Sequence, residues 1–170
     1  MKTHHMGHRI KRRRNARDIF ITPVDLAKEH ISVVASFCEG GERWLDPFRN
    51  SGHYYDHFPT DHKEWCEILD ERDFFTFDTG QVDVICSNPP YSLMDAVFKR
   101  SREHQPKIIS YLIGVNNLTT KRMEKMNKAG YMLVYVRMLK VYSWFGMSFI
   151  CVWKKCDAPN IIHYDRKIWK

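Results

Sequence analysis

No apolar run in the 170 residues approaches the roughly 20 needed to cross a bilayer, which excludes a spanning helix and predicts a soluble protein with no membrane partner. The first eight residues are rich in His, and a basic run follows with no apolar stretch between them, so nothing there resembles a secretion signal. The chain also lacks a C-x-x-C pair. Its cysteines are odd in number (Cys38, Cys66, Cys86, Cys151, Cys156) and three sit in apolar runs. A disulfide framework is therefore not expected, and reduced thiols fit an intracellular protein of the cytoplasm or nucleus, or of a host-cell interior if the protein is viral. Internal repeats and low-complexity linkers are missing too, and a chain of this length is read as one core. No metal site is expected. Cys151, Cys156 and His163 match no zinc spacing, and His53, His57 and His62 are scattered through a polar stretch.

What the chain has is positive charge, a formal +7, part of it concentrated in Arg9, Lys11, Arg12, Arg13, Arg14 and Arg17. Such a cluster raises the local concentration of polyanions and favours a nucleic-acid partner, although a solvated tail without a ligand fits the same charge. Residues 1–18 lack periodic apolar positions and read as a flexible basic arm, with Arg12, Arg13, Arg14 and Arg17 as candidate nucleic-acid contacts. The folded domain is expected over residues 19–170.

Within it, Thr22 at the cap and Pro23 in the first turn open a helix whose Leu26, Ala27, His30, Ile31, Val34 and Ala35 recur at helical spacing up to Gly40-Gly41. Short strands are predicted over 43–46 and 65–69, and a strand over 82–86 carries β-branched residues on both faces, as in a buried parallel sheet. A helix capped by Ser92 and running to about Arg102, a strand over 107–115 and a helix over 118–128 stopped by Gly130 continue the alternation. Strands over 131–136 and 148–153 are too close for a crossover helix, so they form an antiparallel pair. The class is α/β, with a mostly parallel sheet finishing in an antiparallel hairpin.

In open α/β sheets, ligands sit outside the carboxyl ends of the strands. Three predicted strand ends carry polar or proline punctuation: Asp46-Pro47-Phe48, Asp73-Phe74-Phe75 and Asn88-Pro89-Pro90-Tyr91. In the last, two prolines remove backbone donors and fix φ, leaving carbonyl oxygens that accept from elsewhere. Asn88 adds a side-chain acceptor, so two oxygens can hold the N–H bonds of an exocyclic amine while Tyr91 offers a flat face for a base. A rigid strand-to-helix turn without a ligand is the alternative.

Asn88-Pro89-Pro90-Tyr91 resembles the [DNS]-P-P-[YFW] signature of the amino-methylating enzymes that use S-adenosylmethionine, chiefly the N6-adenine nucleic-acid methyltransferases. Asp46-Pro47-Phe48-Arg49-Asn50-Ser51-Gly52 resembles the family's cofactor loop, D-P-F-x-G-x-G. Gly52 matches the second glycine, and Asn50 replaces the first, which Asn tolerates because it enters the left-handed region more easily than most residues. Glu67 resembles the acidic residue that takes the ribose hydroxyls, Asp73 and Phe74 the pair beside the adenine, and Thr22-Pro23 the short element before the first helix.

The resemblance spans about residues 19–153 and implies a Rossmann-like class I methyltransferase sheet binding S-adenosylmethionine through Thr22, Pro23, Asp46, Pro47, Phe48, Asn50, Gly52, Glu67, Asp73, Phe74 and Asn88. It implies catalysis by Asn88, Pro89, Pro90 and Tyr91, with the N6 amine of adenine in DNA as target, since cytosine enzymes of the family usually carry Ser at the first position. Only about six positions separate Glu67 from Asp73, so the helix usual between them is expected to be lost. No span can hold the target-recognition region of the DNA enzymes, so specificity is low or supplied by a partner subunit. An RNA adenine-N6 methyltransferase remains open. So does a non-catalytic subunit that binds nucleic acid, which Asn50 and the shortened acidic segment motivate.

Overall fold

The computed structural model describes residues 20–143 and 146–166. The basic arm with Arg12, Arg13, Arg14 and Arg17, and the pair Trp144-Phe145, lie outside the described residues.

A six-stranded sheet organises the chain. Its strands are β1 (Trp44–Asp46), β2 (Lys63–Trp65), β3 (Val84–Ser87), β4 (Ile108–Gly114), β5 (Tyr131–Leu139) and β6 (Ser148–Lys155). The spatial order is β2-β1-β3-β4-β6-β5. The first four pair in parallel, while β6 runs antiparallel to both β4 and β5. The expected hairpin is present, and its second strand enters between β4 and β5 rather than lying at the edge.

Alternation along the strands sorts side chains to two cores, as the period of two requires. On one face, Ala27, Ile31 and Val34 of α1 (Val24–Ala35) pack on Trp44, Val84, Cys86, Ile108 and Val152. On the other, α2 (Met94–Glu103) and α3 (Thr120–Lys128) supply Met94, Val97, Phe98, Met123 and Met126 to Leu45, Ile85, Ile109 and Trp153. Both faces of β3 are therefore covered, as its β-branched composition predicts. Emptying a site such as Trp153 costs about 3–5 kcal/mol on transfer and cavity grounds.

Several local expectations are corrected. Pro23, not Thr22, is the N-cap of α1, and no side chain caps that end. The helix stops at Ala35, ahead of Gly40 and Gly41, which take φ of +99° and +81° in the turn toward β1. The strand expected over 65–69 lies upstream, because the Glu67 carboxylate accepts from Leu69 N and turns Ile68–Asp70 into a single 3-10 turn. No strand ends at Asp73, whose carboxylate and carbonyl organise a turn with Phe75, Thr76 and Phe77. Ser92 does not cap α2, since Tyr91–Leu93 is a 3-10 turn leading into it with Leu93 at the cap. As expected, no α-helix fits between Glu67 and Asp73, where the chain makes only the 3-10 turn Ile68–Asp70.

All five cysteines are free. No helix among the described residues is long and apolar enough to cross a membrane.

Candidate functional site

Neighbouring parallel strands end together, so β1 and β3 deliver Asp46 and Ser87 to the same place. The Ser87 hydroxyl donates to Asp46 Oδ1 at 2.7 Å, and the Phe48 amide donates to the same oxygen at 3.2 Å. Asp46 is wholly buried, and its Oδ2 has no partner of hydrogen-bonding geometry among the described residues. Burial pushes its carboxyl up to about 7, against the pull of those two donors and of the Tyr55 backbone amide.

The loop after β1 is tied to the segment after β2 beyond the strand ends. Cys66 N donates to Asp46 O at 2.8 Å and Arg49 N to Cys66 O at 2.9 Å. Asn50 adopts φ +46°, the left-handed conformation anticipated for the residue standing in place of a glycine. Its amide donates to Glu67 Oε2 at 3.0 Å, while Glu67 Oε1 accepts from Leu69 N at 3.3 Å. Gly52 sits at φ +86°, where an added Cβ would lie 2.8 Å from Asp56 Oδ2. Asp46, Pro47, Phe48, Asn50, Gly52 and Glu67 therefore form one backbone cradle over the ends of β1 and β2.

Asp73 and Phe74 join it from below. The Phe74 ring meets Phe48 edge-on at 5.4 Å and stacks on His104 at 5.6 Å. It is fully buried, so the aromatic ring at this position that retains exposure is the partly buried Phe75. Asp73 is partly buried and accepts from Phe75 N at 3.0 Å.

The turn after β3 faces the N-terminal segment. Pro89 and Pro90 are buried, and Leu93 N takes the Pro90 carbonyl at 3.1 Å. Asn88 Nδ2 donates to Thr22 Oγ1 at 3.1 Å and to the Phe20 carbonyl at 3.4 Å. Asn88 Oδ1 is buried and has no partner among the described residues. Burial pushes the Tyr91 phenol well above the ordinary value, against the pull of the Ser148 hydroxyl at the start of β6. Phe20 lies against Tyr91 and Tyr142, with centroids 6.3 and 6.0 Å away, and Tyr142 donates to the Ile21 carbonyl at 2.5 Å.

Thr22 thus serves Asn88 rather than the helix cap, and exposed Pro23 starts the helix without touching this network. Phe20, Tyr142 and Ser87 stand at this site and were not singled out from the sequence as site residues.

No protein-family model matches the chain, and no curated protein matches its sequence. Its fold, however, is shared with solved methyltransferases. Magnesium protoporphyrin IX methyltransferase from Synechocystis PCC 6803, solved with bound S-adenosylmethionine, is similar with a TM-score of 0.60 at 10% identity, over 91% of this chain and 92% of that one. A methyltransferase from Pyrococcus furiosus is similar with a TM-score of 0.50 at 14% identity, over 90% of this chain and 98% of that one. The chain has the Rossmann-like class I methyltransferase fold.

Proposed function

We propose that this chain is an S-adenosylmethionine-dependent methyltransferase acting on the exocyclic N6 amine of adenine in DNA. The observation that carries the proposal is Asn88 Oδ1, a buried acceptor with no partner among the described residues, at the carboxyl end of a central strand and beside two prolines. A buried unpaired acceptor costs about 1–3 kcal/mol, and an N–H donor from a substrate removes that cost.

The residues present fit S-adenosylmethionine. Asn50 and Gly52 take the left-handed conformations that let a ligand approach the main chain, and Glu67 stands beside them as an acceptor for a ribose diol. Asp46 Oδ2, buried and without a hydrogen-bond partner among the described residues, adds an acceptor at the ends of β1 and β3. When bound, S-adenosylmethionine supplies an electrophilic methyl group on a sulfonium.

Asn88 and the Pro89 carbonyl then accept the two N–H bonds of the target amine, aiming its lone pair, while Tyr91 offers its ring to the base. The amine nitrogen takes the methyl carbon, the C–S bond breaks with its electron pair left on sulfur, and the spare amine proton passes to water. Adenine is preferred because the first signature position is Asn. The basic residues 9–17 suit phosphate contacts, and a partner subunit would supply target recognition.

The test is incubation with S-adenosylmethionine and single-stranded DNA, duplex DNA or RNA, followed by nucleoside analysis by mass. N6-methyladenine from DNA supports the reading. The same product from RNA alone would move the substrate class, and a donor-binding chain that modifies nothing would favour a non-catalytic subunit.

A further inference from the structure

Three consecutive peptide oxygens ahead of α1 are each held by a side chain from a different part of the fold. The Phe20 carbonyl accepts from Asn88 Nδ2, in the turn after β3, at 3.4 Å. The Ile21 carbonyl accepts from the hydroxyl of Tyr142, in the connection between β5 and β6, at 2.5 Å. The Thr22 carbonyl accepts at 2.7 Å from Nδ1 of His53, which directly follows Gly52 in the loop after β1. A carbonyl oxygen can only accept, so His53 carries a proton on Nδ1. The segment lies outside any helix or strand, and the Ile21 side chain is 53% exposed, so the core does not anchor it there. The Phe20 ring adds contacts with Tyr91 and Tyr142. Phe20–Thr22 is thus a strap fixed by tertiary contacts to the loop after β1, the turn after β3 and the β5–β6 connection.

Asn88 Nδ2 has two protons, and the strap offers it two acceptors, the Phe20 carbonyl and Thr22 Oγ1 at 3.1 Å. The Thr22 hydroxyl alone could serve either end of the amide, since it can donate or accept. The Phe20 oxygen cannot, and a reversed carboxamide would set Oδ1 against it. Oδ1 is therefore left pointing away from the strap, buried and with no partner among the described residues. We infer that the strap sets the orientation of the Asn88 carboxamide, and that Thr22, Tyr142 and His53 are positioning residues for methyl transfer. A reversed amide would present N–H bonds to an incoming amine and could not hold it. Thr22 is the junction: its hydroxyl serves the turn that holds the amine, and its carbonyl serves the loop that cradles the donor. These two links span 66 and 31 positions of chain.

The functional part of this inference rests on Asn88 accepting a substrate amine, as proposed above, whereas the orientation of its carboxamide does not. The first experiment therefore needs no substrate: NMR of nitrogen-labelled full-length protein, reading exchange of the Asn88 carboxamide protons with solvent. Exchange is expected to be slower than in a free asparagine side chain, and to quicken on the order of tenfold in Thr22→Val and in Tyr142→Phe, which removes only a hydroxyl. Free exchange in the wild type, or no change in both variants, overturns the strap. The second experiment is kinetic. Thr22→Val and Tyr142→Phe should each lower kcat on the order of tenfold while donor affinity stays within about twofold, and Thr22→Ser, which keeps the hydroxyl, should recover most of that loss. Equal loss in Thr22→Ser and Thr22→Val, or a loss that falls on donor affinity instead of kcat, overturns the positioning role. Protected carboxamide protons that both variants release, in a protein inactive on every amine substrate, would contradict the amine-binding reading and leave the strap's hold on Asn88 supported.

Discussion

Asp46 Oδ1 accepts the Ser87 hydroxyl at 2.7 Å, which joins the ends of β1 and β3 inside a fully buried site. The cost of burying that carboxyl is visible in its proton affinity. Its pKa of about 7 in the folded state stands above the ordinary 3.8, so the folded state prefers the neutral acid. The stability present below 3.8 is lost as pH rises through about 7, by an amount on the order of 4 kcal/mol. Asp46→Asn should remove this loss and raise the unfolding free energy above that pH. Urea denaturation on both sides of the transition checks it, and an unchanged pH profile in the variant would show that Asp46 is not its source.

Burial acts oppositely on His30. Its folded pKa of about 3 lies below 6.5, so stability present above 6.5 is lost as pH falls through that window. Acid unfolding of the wild type should therefore begin below about 6.5, and His30→Gln should flatten the profile there even if it is less stable at neutral pH. Chemical denaturation at a series of pH values reads this directly.

Two positions in the loop after β1 share a left-handed backbone and should respond differently. Gly52→Ala meets Asp56 and a strained φ, so it should destabilise by about 1–3 kcal/mol and weaken donor binding. Asn50→Gly suits its φ of +46° and should leave stability within about 0.5 kcal/mol, without loss of donor affinity. Thermal unfolding with calorimetric titration of S-adenosylmethionine separates the two. Equal effects would mean that backbone conformation is not what the loop requires.

Phe74, the ring that the sequence places beside the adenine, is fully buried, while its neighbour Phe75 is only partly so. Phe74→Ala empties a fully buried site against Phe48 and His104 and should cost about 3–5 kcal/mol. Phe75→Ala should cost much less stability yet lower donor affinity, if the partly buried ring is the one beside the adenine. A variant at Phe75 with undiminished affinity would return that role to other residues.

The layered α/β architecture was legible because burial dictates pattern: β-branched residues on both faces of β3 and the helical stripe of α1 both follow from covered surfaces. The left-handed Asn50 was legible because it stands where the resembled cofactor loop has a glycine, a backbone that Asn tolerates. Element ends were less so. Glu67 and Asp73 organise turns through their carboxylates, which overrides the strand propensity of their neighbours. Thr22 looked like a cap because local sequence cannot reveal a partner 66 positions away. The hydrogen bonds of His30 to Tyr54 and Ser110 were hidden for the same reason, since they form only when α1 closes over the sheet.

The central claim is that Asn88 holds the amine that receives the methyl group. The most direct measurement is single-turnover methyl transfer from labelled S-adenosylmethionine to adenine-containing single-stranded DNA, comparing wild type with Asn88→Ala at saturating donor. The account predicts N6-methyladenine from the wild type and a loss on the order of 100-fold or more in the variant, with donor binding retained. Undiminished transfer in Asn88→Ala, or a methylated product other than an exocyclic amine, would contradict it.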